Sequence, residues 1–201
     1  ISVAPSFAAK WLLPRLVGFL ERHPEIEVDV KASIELADFA GDEVDLAIRY
    51  GAGAYPGLSV ELLLRDTMFP VCSPELLMRH GQRDPANVFR EAPLLHDVST
   101  DRDSSVPSWK MWLKAAGLSE VDWRKGPRFN QTALALDAAL GGLGIALAPA
   151  VLVDADLVTG KLVRLASDEL RGDFAYYLVH PHDKTSLPPL QQFKAWLRSS
   201  L

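Results

Sequence analysis

The chain has 201 residues, 48% of them hydrophobic and 23% charged, with a formal net charge of −5. That composition supports a packed core and excludes disorder, and the length suits one large domain or two small lobes. The longest apolar run, residues 143–152, is broken by Gly144 and Pro149 and falls short of the roughly 18–20 residues that span a bilayer. The acidic balance argues against a nucleic-acid grip, because the densest basic cluster is only Arg124-Lys125 with Arg128 and phosphate neutralisation needs a patch. Cys72 is the single cysteine, so no intrachain disulfide forms, which fits a reducing compartment without requiring one.

Residues 1–4 read as a short strand, and its abrupt start leads us to expect an upstream segment: a cleaved signal peptide or a removed domain would look the same. Ser6 is expected to cap a helix with Leu12, Leu13, Leu16, Val17 and Leu20 at helical spacing, bent or restarted at Pro14 and stopped by His23-Pro24. Ile26, Val28, Val30 and Ala32 alternate with charged residues, the period of a strand with one wet face. Residues 45–50 form a third strand entering the loop Gly51-Ala-Gly-Ala-Tyr-Pro-Gly57. A β-α-β-α-β opening of this kind predicts a parallel sheet with right-handed crossovers.

Residues 58–64 and 67–72 read as two further strands, and Ser73-Pro-Glu75 starts a helix. A loop follows, then a strand near 94–98 and a helix over 107–116 stopped by Gly117. Asp101-Arg-Asp103 reads as a solvated charge run. From Phe129 to Pro149 the chain spells a strand end, a helix, a glycine stop at Gly141-Gly-Leu-Gly144 and an apolar strand closed by proline. A short helix near 150–156, strands at 161–165 and 174–180, and an amphipathic helix over 187–201 complete the order. The strands near 68–72 and 174–179 are candidate crossings between two lobes, giving a first lobe of residues 1–70 and 174–201 and a second of 71–173.

Two helix starts are polar. Asn130-Gln131-Thr132 and Pro5-Ser6-Phe7 each bring helix-start amides and a positive dipole end suited to a small acidic ligand. Bland readings compete throughout: Ser6 and Thr132 also suit simple capping, and Cys72 reads as a buried inert thiol. His180-Pro-His182-Asp183 is too short a turn for its side chains to converge on a metal. Gly141 to Gly144 follows a helix and feeds a strand, the reverse of a dinucleotide fingerprint. Trp109 and Trp112, three apart on one helix, suit the core or a dimer contact. No nucleophile elbow, zinc helix or paired-cysteine spacing is present, so no catalytic machinery, metal or cofactor is expected.

The segments Leu12-Leu-Pro-Arg-Leu16 with Phe19 and His23-Pro24, Asp45 to Gly57, Phe69-Pro-Val-Cys-Ser-Pro-Glu-Leu76 and Gly141 to Pro149 occur together in an order that resembles the effector-binding domain of LysR-type transcriptional regulators. Ile48-Arg-Tyr-Gly-Ala-Gly53 narrows the resemblance to the subgroup holding regulators of glycine cleavage and of chromosomal β-lactamase. The resemblance implies an α/β fold of two Rossmann-like lobes joined by two crossover strands, like a type 2 periplasmic binding protein. It also implies homodimers, with tetramers open to the full-length protein, and a cytoplasmic location. DNA would be reached only through an N-terminal winged helix-turn-helix outside this chain. The effector, an amino acid, peptide or carboxylate, would sit in an interlobe cleft and shift the conformation of the DNA-bound oligomer.

By position, the resemblance assigns effector contacts to Ser6 with the amides of Phe7 and Ala8, to Ser33, to Asp38, to Asn130, Gln131 and Thr132, and to Tyr176. Pro5 stands where the β-lactamase regulators tend to have glycine, and Gln131-Thr132 where paired serines are expected, so effector contacts should differ. A type 2 solute-binding protein of an ABC transporter, with the same fold, is the alternative reading. Helix faces near 13–20 and 109–112 are the expected dimer contacts.

Overall fold

The computed structural model describes residues 1–39, 41, 44–80, 85–99 and 105–201, and the Asp101-Arg-Asp103 run lies outside them. The chain forms two compact units, Ile1–Arg65 with Asp173–Leu201, and Asp66–Gly172.

In the first unit β1 (Ser2–Val3) lies between β2 (Lys31–Ala32) and β3 (Ala47–Gly51), parallel to both. The expected parallel sheet is mixed, however, because β9 (Leu170–His180) runs antiparallel to β3 with Tyr50 opposite Tyr176. The alternation over residues 26–32 yields only the last two as strand: Ile26, Val28 and Val30 are half-buried without a continuous ladder. Among the described residues no helix separates β2 from β3.

The helical run begins with α1 (Pro5–Phe7), widens through a π turn at Ala8–Leu12 and continues as α2 (Leu13–Leu20). Pro14 explains the wide turn. Its ring brings no N–H, and the Leu13 amide reaches five residues back to the Ala8 carbonyl. Trp11 and Phe19 pack from this run onto Phe193 and Trp196 of α8 (Pro188–Ser199), with Phe19 edge-on to Phe193 at 5.0 Å and Phe7 stacked on Trp11.

One charged cluster lies within this apolar layer. Lys194 is 3% exposed on the inner face of α8, and His180 is wholly buried at the end of β9. Both meet Glu61 of β4 (Ser59–Cys72), Lys194 through an ion pair and His180 at 3.2 Å, and Arg198 pairs with the same carboxylate from the exposed side. Burial raises the Glu61 pKa, but hydrogen bonds from Lys194, Arg198 and His180 outweigh it and hold the carboxyl down at about 2.

The second unit begins inside β4, a single strand where two were expected. Residues 65 and 66 stay extended, because the Asp66 side chain rather than a turn satisfies the local amides. β7 (Ile145–Pro149) pairs antiparallel with β4, then β5 (Leu94–Asp97) and β6 (Arg128–Phe129) follow in parallel. β8 (Val163–Arg164) lies on the other side of β4. Among the described residues five helices accompany them: α3 (Pro74–His80), α4 (Pro85–Glu91), α5 (Trp109–Ala115), α6 (Thr132–Leu140) and α7 (Ala150–Val158). The expected loop before β5 thus holds α4, whose Val88 and Phe89 are buried.

Trp109 and Trp112 are core residues. Trp112 stacks on Phe89 at 5.1 Å, and the two indole N–H groups donate to the carbonyls of Leu95 and Asp168. Their burial removes them as dimer contacts. Cys72 is wholly buried, which pushes its thiol up to about 11.

Asp66 carries an acid switch in stability. Its Oδ1 accepts from the Thr67 and Val151 amides, the latter at the start of α7, while Oδ2 is buried without a hydrogen-bond partner. Burial pushes its pKa from 3.8 up to about 6, against the pull of those backbone amides. The folded state therefore binds this proton more tightly than the unfolded state does. Stability should fall as pH rises from about 4 to about 6, by roughly 2–3 kcal/mol in all. Asp66→Asn should flatten that slope; unfolding midpoints in urea at several pH values check it, and an unchanged slope refutes it.

Candidate functional site

In the first unit the expected contacts Ser6, Phe7 and Ser33 lie around the end of β1. The N-cap of the helical run is Ala4, not Ser6: Ala4 is extended, Pro5 occupies the first turn, and no side chain caps it. Ser6 is consequently the second helical residue. The Ala8 amide already donates to the Ala4 carbonyl at 2.9 Å, so the amides at this start that precede any intrahelical bond are those of Ser6 and Phe7. The ring of Phe7 is wholly buried and makes no surface. It lies 4.7 Å from the ring of Tyr176, which also packs on Tyr50 at 4.9 Å. Tyr176 is 4% exposed, so its ring belongs to the core whatever its hydroxyl contacts.

Ser33 is brought to the same strand end. Its amide donates to the Val3 carbonyl at 3.0 Å, its Oγ accepts the Glu35 amide at 3.0 Å, and its carbonyl accepts from Arg49 Nη1 at 2.9 Å. Asp38 lies further along this loop, exposed, with its carbonyl accepting the Gly41 amide.

In the second unit Asn130 and Gln131 connect β6 to α6. Gln131 is the extended N-cap, with φ −145° and ψ 136°, and makes no side-chain capping bond. Thr132 is the first helical residue and donates its hydroxyl proton to Asp97 Oδ2 at 2.5 Å. Asp97 Oδ1 in turn accepts both the amide and the hydroxyl of Ser99, at 2.9 and 2.6 Å. With its proton committed to a carboxylate, the Thr132 oxygen is left as an acceptor, able to face an ammonium group. The turn around it thus combines amide donors with an acceptor held by a negative charge. Asp97 was missed in the sequence. The Asp97-Val98-Ser99 spacing of an Asx turn at a strand end was the available signal.

Among the described residues, no group of three His, Cys, Asp or Glu side chains is placed to hold a metal ion. No helix there is long and apolar enough to cross a membrane.

This arrangement of mixed α/β units belongs to the type 2 periplasmic-binding-like class. Residues 1–201 match the family model described as LysR substrate binding domain, and the chain belongs to that family. It is 36% identical over 197 residues to the glycine cleavage system transcriptional activator of Escherichia coli K12, covering 98% of this chain and 63% of that protein. Against the HTH-type transcriptional activator AmpR of Citrobacter koseri it is 30% identical, covering 98% and 65%. The chain therefore spans somewhat less than two thirds of these relatives. In structure it resembles the effector domain of the transcriptional regulator AmpR of Pseudomonas aeruginosa, with a TM-score of 0.76 and 28% identity over 99% of this chain and 92% of that one. The regulatory domain of CrgA from Neisseria meningitidis shares the fold at a TM-score of 0.76 and 24% identity, covering 100% and 96%.

Proposed function

We propose that this chain is the ligand-sensing and dimerising part of a cytoplasmic LysR-type transcriptional regulator, which reaches DNA through a separate N-terminal domain. It binds a small acidic or zwitterionic effector and performs no chemistry. The effector shifts the balance between two arrangements of the oligomer through its different affinity for each. The observation that carries the ligand class is the Thr132–Asp97 pair at the start of α6. Amides suit a carboxylate, and a hydroxyl whose proton points at Asp97 suits an amine, so an amino acid or short peptide satisfies both. Ser6, the Phe7 amide, Ser33, Asp38, Asn130, Gln131 and the Tyr176 hydroxyl are the remaining proposed contacts.

Relatives at 36% and 30% identity are transcriptional activators, which favours this reading over the transporter solute-binding alternative. For dimerisation the remaining candidate face is on α2, where Leu13, Val17 and Leu20 are 50%, 62% and 38% exposed.

Isothermal titration against amino acids, dipeptides and plain carboxylates tests the effector class. Thr132→Val should weaken the best amino-acid or peptide ligand by about 10- to 100-fold, the loss of a hydrogen bond to a charged group, while leaving plain carboxylates within about threefold. Heat from plain carboxylates alone would refute the zwitterion reading.

A further inference from the structure

Arg49 on β3 is 5% exposed, yet its acceptors among the described residues are neutral. Nη1 donates to the Ser33 carbonyl at 2.9 Å, Nη2 donates to Ser2 Oγ at 2.5 Å, and Nε has no hydrogen-bond partner. Among the described residues no carboxylate pairs with the guanidinium. A buried cation in this position is costly unless an anion joins it.

Beside it lies a cavity of about 150 Å³ within the first unit. Leu36, Phe39, Ala54 and Val179 supply apolar wall, and Arg49 and Tyr55 the polar part. The register explains the separation from the residues around Phe7. Arg49 pairs with Tyr177 and Ala47 with Val179 on one face of the strand pair, while Tyr50 pairs with Tyr176 on the other. A side chain added at Gly51 would meet the Tyr55 hydroxyl at 3.0 Å, which places the phenol oxygen against β3 two residues beyond Arg49. Burial pushes the Arg49 pKa down and that of Tyr55 up, as expected for polar groups short of a counter-charge.

We propose that this cavity is a second ligand site, distinct from the effector contacts above, for a small monocarboxylate with a short branched aliphatic tail. Arg49 neutralises the carboxylate, Tyr55 donates a hydrogen bond, and the apolar wall takes the tail. A cavity of this size accepts a body no larger than about a benzene ring. A single cation does not balance a phosphate dianion, so the carboxylate is the fitting anion.

The test titrates the 201-residue chain carrying Ser6→Ala and Thr132→Val, which removes two hydroxyls from the proposed effector contacts, with sodium 3-methylbutanoate. Its isosteric amide and amine, 3-methylbutanamide and 3-methylbutylammonium, are compared. Binding of one carboxylate with a Kd between about 0.1 and 5 mM is expected, with amide and amine at least about tenfold weaker. Arg49 also ties Ser2 to Ser33, so the cavity is closed with Ala54→Leu instead. That variant should lose at least about tenfold in affinity with its thermal midpoint, measured without ligand, unchanged or raised. No heat up to about 10 mM, equal binding of the amide, or undiminished binding by Ala54→Leu would each overturn the proposal. Binding that appears only when Ser6 and Thr132 are intact would also overturn it, and would return the carboxylate to the effector contacts.

Discussion

Replacing Glu61 by glutamine should cost about 3 kcal/mol at pH 7, read as a lowered urea midpoint of the first unit's aromatic signal. The cause is the partner left behind. Lys194 is 3% exposed and its ammonium is directed at Glu61 Oε1 and His180 Nε2. Without the carboxylate a buried cation remains beside an imidazole, and Arg198 loses the same partner. Lys194→Met in the Glu61→Gln background should recover much of the loss, because an apolar chain at this buried position needs no counter-ion. The acid side follows from the depressed pKa of Glu61, held at about 2. Its contribution is complete above the ordinary carboxyl range and disappears as pH falls through about 2. A glutamine variant as stable as the parent would show the cluster to be worth nothing.

Gly144→Ala should cost at least about 3 kcal/mol, more than the neighbouring Gly142→Ala at about 1–2 kcal/mol. The two glycines do different work after α6. Gly142 ends the helix at φ +73°, a left-handed conformation that a side chain tolerates at moderate cost. At Gly144 an added Cβ would stand 2.3 Å from the Pro93 carbonyl oxygen, a backbone atom fixed by the Ile145 amide at 2.9 Å. Relieving the clash means opening the parallel pairing of β5 and β7 at Leu94 and Ile145. Unfolding midpoints of both variants give the comparison, and an equal cost would sink this account.

The sequence reading of Gly141 to Gly144 as one helix stop merged these two roles, because close backbone approach leaves no local trace. What was legible had strong local punctuation: the apolar β7 closed by Pro149, the α5 stop at Gly117, and the amphipathic α8. Errors arose where partners decide. Ile26 to Ala32 has strand alternation but finds ladder partners only at Lys31 and Ala32. Arg65-Asp66 looked like a break between strands, yet Asp66 satisfies the Thr67 and Val151 amides and β4 runs through. Among its described side chains the short α4 buries Val88 and Phe89, too few to establish a helical period.

For the candidate site, the polar segments at residues 5–7 and 130–132 were visible because helix starts have compositional signatures. Their hydrogen-bond economy was not. That Ala4 rather than Ser6 ends the extended segment, and that Asp97 takes the Thr132 proton, depends on residues 35 positions apart in the second case. Buried charges were the least legible. Nothing local distinguishes Arg49 or Lys194 from the solvated arginines and lysines that outnumber them.

The interleaving of the units also sets an order of events during synthesis. Residues 66–172 form one uninterrupted stretch, whereas the other unit needs both chain ends. At about 5–20 residues per second the ribosome finishes the inserted unit while the first 65 residues wait roughly 7–27 seconds for β9 and α8. During that interval Trp11 and Phe19 have no Trp196 to cover them, and Glu61 lacks Lys194 and Arg198. The nascent N-terminal third is therefore the part of this chain that most needs a chaperone.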